Sequence, residues 1–148
     1  MIDIEDSGPA ESNLRTLIYF LGEKIDHKLA ELRKATPYKG VRASDIRVFV
    51  TAARGENSIS DVARKLGISR QSAQASVKRL IKLGVVELEL VAKNKREKHI
   101  LITPRGVLAG KTAKHQIEDV ESDIAAIIGR DNVERMRSHL VKLVSNKF

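Results

Sequence analysis

The stretch from Ser58 to Val86, SISDVARKLGISRQSAQASVKRLIKLGVV, holds two short amphipathic periods separated by one glycine, and it constrains the fold more than any other part of the chain. Ser58 followed three residues later by Asp61 is a capping box, in which each side chain answers the other's backbone donor at a helix start. Val62, Ala63 and Leu66 then form an apolar stripe at helical spacing. Gly67 stands where that helix needs a left-handed residue to end, a conformation glycine adopts without a Cβ penalty. Ser69 is placed to cap a second helix, whose Ala73, Val77 and Leu80 recur every three to four residues, with Ser76 small enough to sit at the edge of that face. Two short helices across a tight turn make a helix-turn-helix.

The second helix leaves Arg70, Gln71, Ser72 and Gln74 outward on its first turns, with Lys78 one turn on. These are groove-reading side chains: Arg can pair with guanine, Gln with adenine and Ser with either. Alone, such a face fits a solvated helix hairpin equally well. The sequence that follows adds weight to the reading head. VVELELVA, from Val85, has the β-branched, alternating character of a strand, and His99 to Ile102 form an apolar return strand. Between them Lys93, Asn94, Lys95, Arg96, Glu97 and Lys98 are expected to form the cationic tip of a hairpin, a wing. Thr103 and Pro104 then open another helix, since Thr is a good N-cap and Pro favours the first helical position.

In order and ungapped spacing, SDVARKLGISRQS, the VKRL of the second helix, LGVV and ITPRG resemble the multiple-antibiotic-resistance repressor (MarR) family of winged-helix transcription regulators. The motifs span residues 58–106, and the flanking helices fit the family's layout. The resemblance implies a mainly α fold with a small β wing: a winged helix-turn-helix core flanked by N- and C-terminal dimerisation helices. It implies one domain over 1–148, with dimerisation helices at 11–36 and 107–148 and the DNA-binding region at 41–106. It further implies that Ser69, Arg70, Gln71, Ser72, Gln74 and Lys78 enter the major groove. Arg96 would reach the minor groove from a wing whose Lys93, Asn94, Lys95 and Lys98 also face DNA. Family wings often carry Asp two residues before that arginine; here the position is Asn94, and the charged brace is gone.

Charge distribution tests the assignment separately, because a phosphate-binding surface needs a local excess of cations. Of the chain's net +8, residues 41–106 hold 14 Lys/Arg against 6 Asp/Glu, while the remainder holds 13 of each. The excess therefore falls on the DNA-binding segment. A membrane-surface role would want bulky aromatics opposite the charge, and this segment has only Phe49. With no cysteine there is neither a disulfide framework nor a thiol switch. The acidic start, MIDIEDSGPAE, is unlike a secretory signal, and no run reaches membrane-spanning length, so a cytoplasmic protein is expected.

Outside this segment the chain reads as three helices. Pro9 and Thr36-Pro37 bracket a pattern with Leu14, Leu17, Ile18, Leu21, Ile25, Leu29 and Leu32. Ile117, Val120, Ile124, Ile127 and Ile128 continue the helix after the wing until Gly129. Asp131 and Glu134 form a second capping-box candidate ahead of Val133, Met136, Leu140, Leu143 and Val144. Periodicity alone fits an intramolecular bundle as well as a dimer. The resemblance favours a homodimer, with Leu14, Leu17, Leu21, Ile124, Ile128, Leu140 and Leu143 at its interface. Two reading heads would then face half-sites about 34 Å apart on a pseudo-palindrome. The remaining helix, Ser44 to Arg54, is expected to turn Ile46, Phe49, Val50 and Ala53 inward and to leave Arg47 and Arg54 solvated.

Nothing in the sequence suggests an enzyme, a metal or a cofactor. The four histidines are scattered, and His115, Glu118 and Asp119 read as exposed helix charge rather than ligands. The family also implies a small-molecule effector, with Tyr19, Tyr38 and His27 as candidates to line its cleft, although each is as well explained by packing or exposure. The expected function is thus a ligand-responsive repressor that binds specific double-stranded DNA. Two alternatives stay open: a winged-helix protein that coats DNA without sequence preference, and a protein-interaction module that keeps the fold without DNA contact.

Overall fold

The computed structural model describes residues 12–91 and 94–148, and at Asn94, Lys95 and Arg96 it describes the backbone alone. Pro9, the acidic start and Lys93 lie outside the described residues. In order, the elements are α1 (Leu14–Arg33), α2 (Ala43–Ala53), α3 (Ile59–Leu66), α4 (Arg70–Lys82), β1 (Val86–Val91), β2 (Asn94–Ile102), α5 (Pro104–Ile128) and α6 (Arg130–Ser145). This is the expected mainly helical fold with a small two-stranded wing. The chain divides into two compact units, one drawn from Met1–Ala35 and Gln116–Phe148, the other from Thr36–His115.

The second unit has a small, dry core. Val48 and Ala52 of α2, Ile59, Val62 and Ala63 of α3, and Ala73, Val77 and Leu80 of α4 are buried together with Val85, Val86 and Ile100. Tyr38 and Phe49 pack against this cluster. The starts of α3, α4 and α5 and the end of α3 follow their sequence signals. The Ser58 hydroxyl accepts the Asp61 N–H at 3.0 Å, and the Asp61 carboxylate is taken up by that hydroxyl and by Arg64, 3.0 Å away. Gly67 ends α3 at φ +65°, and the Ser69 hydroxyl accepts the Ser72 N–H at 3.0 Å. Thr103 caps α5 by accepting the Gly106 N–H at 3.0 Å, while its hydroxyl donates to the Gly84 carbonyl at 2.6 Å. One side chain thus ties the turn before the wing to the helix after it.

Three expectations need correction here. Asn94 to Lys98 are not a loop tip but the first half of β2, where Lys98 pairs with Leu90 and Asn94 with Val91 of β1, and a register shift between Leu90 and Val91 leaves Lys95, Arg96 and Glu97 outside the pairing. With Lys95, Arg96 and Glu97 outside the pairing, the run carries no apolar/polar alternation, and its sequence hides the strand. On α2 the inward face is Asp45, Val48 and Ala52, with Ile46 and Phe49 half-buried and Val50 and Ala53 exposed. The helix is rotated because a carboxylate, not an isoleucine, has a partner inside. For the same reason Ser76 is fully buried rather than at the edge.

In the other unit, α1 starts at Asn13, whose side chain accepts the Thr16 N–H at 2.9 Å. Arg137 of α6 grips Glu121 of α5 through two parallel hydrogen bonds of 3.1 and 2.8 Å and also bonds Glu134 of its own helix. Those bonds to Glu121 and Glu134, with the attendant charges, raise the Arg137 pKa, and the Arg137 bond holds Glu121 below its ordinary range. The capping box expected at Asp131 and Glu134 does not form: α6 starts two residues earlier than that cap implies, after Gly129 at φ +90°, with no side-chain cap. Among the described residues of this unit, only Val120 and Val133 are buried, and α1 buries no residue.

Candidate nucleic-acid interface

Helix α4 carries most of the predicted contacts, and its burial pattern decides which way they face. At about 100° per residue, Ala73, Val77 and Leu80 occupy one side of the cylinder, and Arg70, Gln71, Gln74 and Lys78 fall on an adjoining arc whose centre lies about 105° further round. All four of these are exposed. Ser69 and Ser72 are exposed too, but they are occupied with each other: besides the cap bond, the Ser69 hydroxyl donates to that of Ser72 at 2.8 Å. Their first task is to hold the N-terminus of α4 together.

Arg70 and Gln74 share a polar cleft of about 430 Å³ with Ser58, Ser60, Asp61 and Arg64 of the α3 segment and with Glu97 and Lys98 of the wing. The structure therefore brings two recognition-helix side chains and one wing lysine to the same place. It does not bring Gln71, Ser72 or Lys78 into this cleft. The wing is held against the head by its backbone. The Ile100 N–H donates to the Asn57 carbonyl at 2.7 Å, and Ser58 and His99 form an antiparallel bridge. Lys98 is exposed and Glu97 half-buried, with the Glu97 carboxylate 3.8 Å from Nε2 of His99. Lys93 lies outside the described residues, and for Asn94, Lys95 and Arg96 only their position on β2 is described.

The opposite edge of α4 holds a group that the sequence reading missed. Asp45 of α2 is 1 % exposed, and Arg79 donates to both of its oxygens, from Nε at 3.0 and 3.1 Å and from Nη2 at 2.8 Å. The same Nη2 reaches the Ser76 hydroxyl at 3.1 Å, and the Arg42 N–H donates to Asp45 Oδ2 at 3.2 Å. Burial pushes the Asp45 pKa up, but the hydrogen bonds from Arg79, Ser76 and Arg42 and the Arg79 charge together outweigh burial and hold it below its ordinary value. The signal was present: Asp45, Val48 and Ala52 are spaced three and four apart, so Asp45 lies on the buried stripe of its own helix.

The dimerisation residues predicted from sequence all belong to the first unit, where Leu14 is 75 % and Leu143 53 % exposed and Leu17, Leu21, Ile128 and Leu140 are less so. Ile124 is half-buried. An open apolar groove of about 480 Å³ runs between α1, α5 and α6, lined by Leu21, Ile25, Ile124, Val133, Met136 and Leu140 among others. Of the effector-cleft candidates, Tyr38 packs on the core of its unit, Tyr19 is exposed and stacks edge-on to Phe20, and His27 is exposed. Among the described residues, no group of three or more His, Asp or Glu could hold a metal ion. No helix among them is long and apolar enough to cross a membrane.

A helix-turn-helix with an outward cationic face, braced by a two-stranded wing, defines the winged-helix class. Residues 40–97 match the model of the MarR family. Over most of the chain the fold is similar to a mutant of MarR from E. coli, with a TM-score of 0.75 at 18 % identity, covering 90 % of this chain and 97 % of that one. It is similar also to YusO from Bacillus subtilis, with a TM-score of 0.69 at 12 % identity over 90 % and 94 % of the two chains. A third similar structure is a mutant of S. aureus MepR bound to an oligodeoxyribonucleotide, with a TM-score of 0.64 at 14 % identity over 91 % and 98 %. No curated protein sequence matches the chain. The MarR family pattern thus covers the reading head, and over nine-tenths of the chain the fold is similar to that of MarR-type winged-helix structures.

Proposed function

We propose that the protein is a ligand-responsive repressor that binds specific double-stranded DNA, acting as a homodimer on a pseudo-palindromic operator in the cytoplasm. The observation that carries this reading is the face of α4: Arg70, Gln71, Gln74 and Lys78 are exposed together on a helix whose other side is anchored in the core. Groove readout needs that arrangement, with side chains able to pair base edges on a helix otherwise fixed in place. The MepR structure with its oligodeoxyribonucleotide supports the same use of the fold.

The dimer rests on the first unit. Three helices there leave Leu14, Leu17, Leu21, Ile128, Leu140 and Leu143 in water, and a second copy is the partner that the symmetry of an operator requires. Regulation is then steric: the dimer occupies the operator, and a small molecule changes the spacing or rigidity of its two heads. No cofactor, metal or catalysis is part of this mechanism.

The test is selection of bound fragments from the source genome, followed by footprinting across a salt series. A protected pseudo-palindrome is expected. Equal affinity for the selected duplex and a scrambled one would instead make this a DNA-coating protein, and no binding to either would leave an interaction module.

A further inference from the structure

We propose that Asp45 is a positioning residue for base readout: through its fork with Arg79 it sets the rotation of α4 and therefore where Arg70, Gln71 and Gln74 meet the bases. This rests on the DNA-binding reading above.

Helix α4 is held in part by its apolar face. Its buried face consists of Ala73, Val77 and Leu80, together with Ser76. The hydrophobic term is non-directional, and with Ala73 and Ser76 this face offers few large side chains to interlock, so a directional contact has most to add in fixing the rotation of the helix about its own axis. The fork is directional. Arg79 makes three bonds to Asp45, and Asp45 is itself held by the Arg42 N–H at the start of α2. A planar guanidinium on a carboxylate tolerates little twist. It bridges positions 34 apart in sequence, so no local turn fixes it.

Scale decides whether rotation matters. Side-chain tips stand about 5 to 6 Å from a helix axis, so a turn of about 10° moves them by about 1 Å. A functional constellation must be held to within about 0.5 Å and 10–20° of its productive geometry. A slip that leaves the fold intact is therefore enough to spoil bidentate contacts from Arg70 and Gln74. Phosphate attraction is far more tolerant, because it depends mainly on charge and distance.

Burying a charge pair is also a poor way to gain stability alone, since an apolar pair of similar size often does as well. That comparison supplies the experiment. Full-length wild type, Asp45→Asn and the double variant Asp45→Leu/Arg79→Leu are titrated against the duplex recovered in the fragment selection and against its scrambled version, across a salt series. Folding of each is followed by circular dichroism. The expected result is that both variants, at temperatures where they are folded, lose at least about tenfold in preference for the selected duplex, while scrambled-duplex affinity and salt slope stay at wild-type values.

A folded double variant with wild-type preference overturns the proposal, because packing alone would then suffice. A loss of affinity for both duplexes with the salt slope reduced by about one overturns it differently, making Arg79 a direct phosphate contact. If Asp45→Asn does not fold, Arg79→Lys, which keeps the charge and removes the fork, is read against the same criteria. Wild type without any preference between the duplexes overturns the DNA-reading function itself, and is seen before any variant is made.

Discussion

A Cβ on Gly106 would stand 2.1 Å from the carbonyl oxygen of Val85 and 2.8 Å from Cγ2 of Ile102. The first turn of α5 therefore presses on the backbone that leads into β1, and no larger residue fits without moving one of them. Thr103 holds the same junction, bonded to both the Gly84 carbonyl and the Gly106 N–H. Gly106→Ala is expected to cost more than about 2 kcal/mol, the upper part of the range for over-packing, because backbone cannot swing aside as a side chain would. Gly110, one turn further along the same helix, has only Cε1 of Phe49 at 4.0 Å. Gly110→Ala should instead stabilise by about 0.5 to 1 kcal/mol by helix propensity. Urea denaturation of the two variants checks the opposite signs.

The helix-turn-helix depends on its caps. Replacing Ser58 by Ala removes the acceptor for the Asp61 N–H at a position that is itself buried, and should cost about 1 kcal/mol. Gly67→Ala forces a Cβ into a left-handed residue at φ +65° and should cost a similar amount. Thermal melts of each variant give the values. A change smaller than about 0.3 kcal/mol in both would mean that the tertiary core, not the caps, defines these ends.

Acid should act through Asp45. Its pKa is depressed in the folded state, so its contribution is fully present above the ordinary value of 3.8 and is lost as pH falls through the folded value. Wild type is expected to be more stable than Asp45→Asn from neutral pH down to about pH 4, with the gap closing below that. Urea midpoints measured between pH 7 and pH 2.5 follow the difference. Taking wild type against the variant isolates Asp45 from Asp61 and Glu121, whose pKa values are lowered too.

How far the sequence could be read follows from where its periodicity was local. Ser58, Gly67 and Ser69 act within a few residues of themselves, and the structure keeps each in the role its type and spacing imply. Thr103 and Pro104 likewise open α5 as expected. The errors lie where a distant residue intervenes. Asp45 falls on the buried stripe of α2 by spacing, but a carboxylate is credible there only once Arg79, 34 positions away, is known to meet it beside the buried Ser76. The run from Asn94 to Lys98 looks like a loop until β1 is seen to pair its two ends, Asn94 with Val91 and Lys98 with Leu90. Of the interface, the outward face of α4 was legible because its core residues are regularly spaced; the joining of Arg70, Gln74 and Lys98 in one cleft was not, since it depends on how the wing folds back.

On the homodimer proposed above, loss of the apolar face should separate the subunits. Leu140 and Leu143 are 40 % and 53 % exposed on α6, and burial of each against a partner would contribute about 1.5 to 3 kcal/mol. Leu140→Glu/Leu143→Glu is therefore expected to weaken self-association at least about 100-fold while leaving the second unit folded. Sedimentation velocity over a concentration series reads the change directly. A variant that stays dimeric would remove α6 from the interface.

The recognition helix and the wing should fail in different ways. Arg70 and Gln74 are exposed, share one cleft and are suited to pair guanine and adenine edges, so Arg70→Ala or Gln74→Ala should cost about 1 to 3 kcal/mol per lost bidentate contact. That cost should appear at particular base pairs: substituting the cognate base in the duplex should weaken wild type and leave the variant indifferent. Lys98, on the wing side of the same cleft, offers a point charge without a fork. Lys98→Ala, like Lys95→Ala, should weaken every sequence equally and lower the slope of log K against log salt by about one. Binding isotherms with single-base-substituted duplexes at three salt concentrations separate the two patterns. Altered base preference on Lys98→Ala with an unchanged salt slope would transfer that residue from phosphate attraction to readout, and the cleft would then be the place where wing and helix read the same base step.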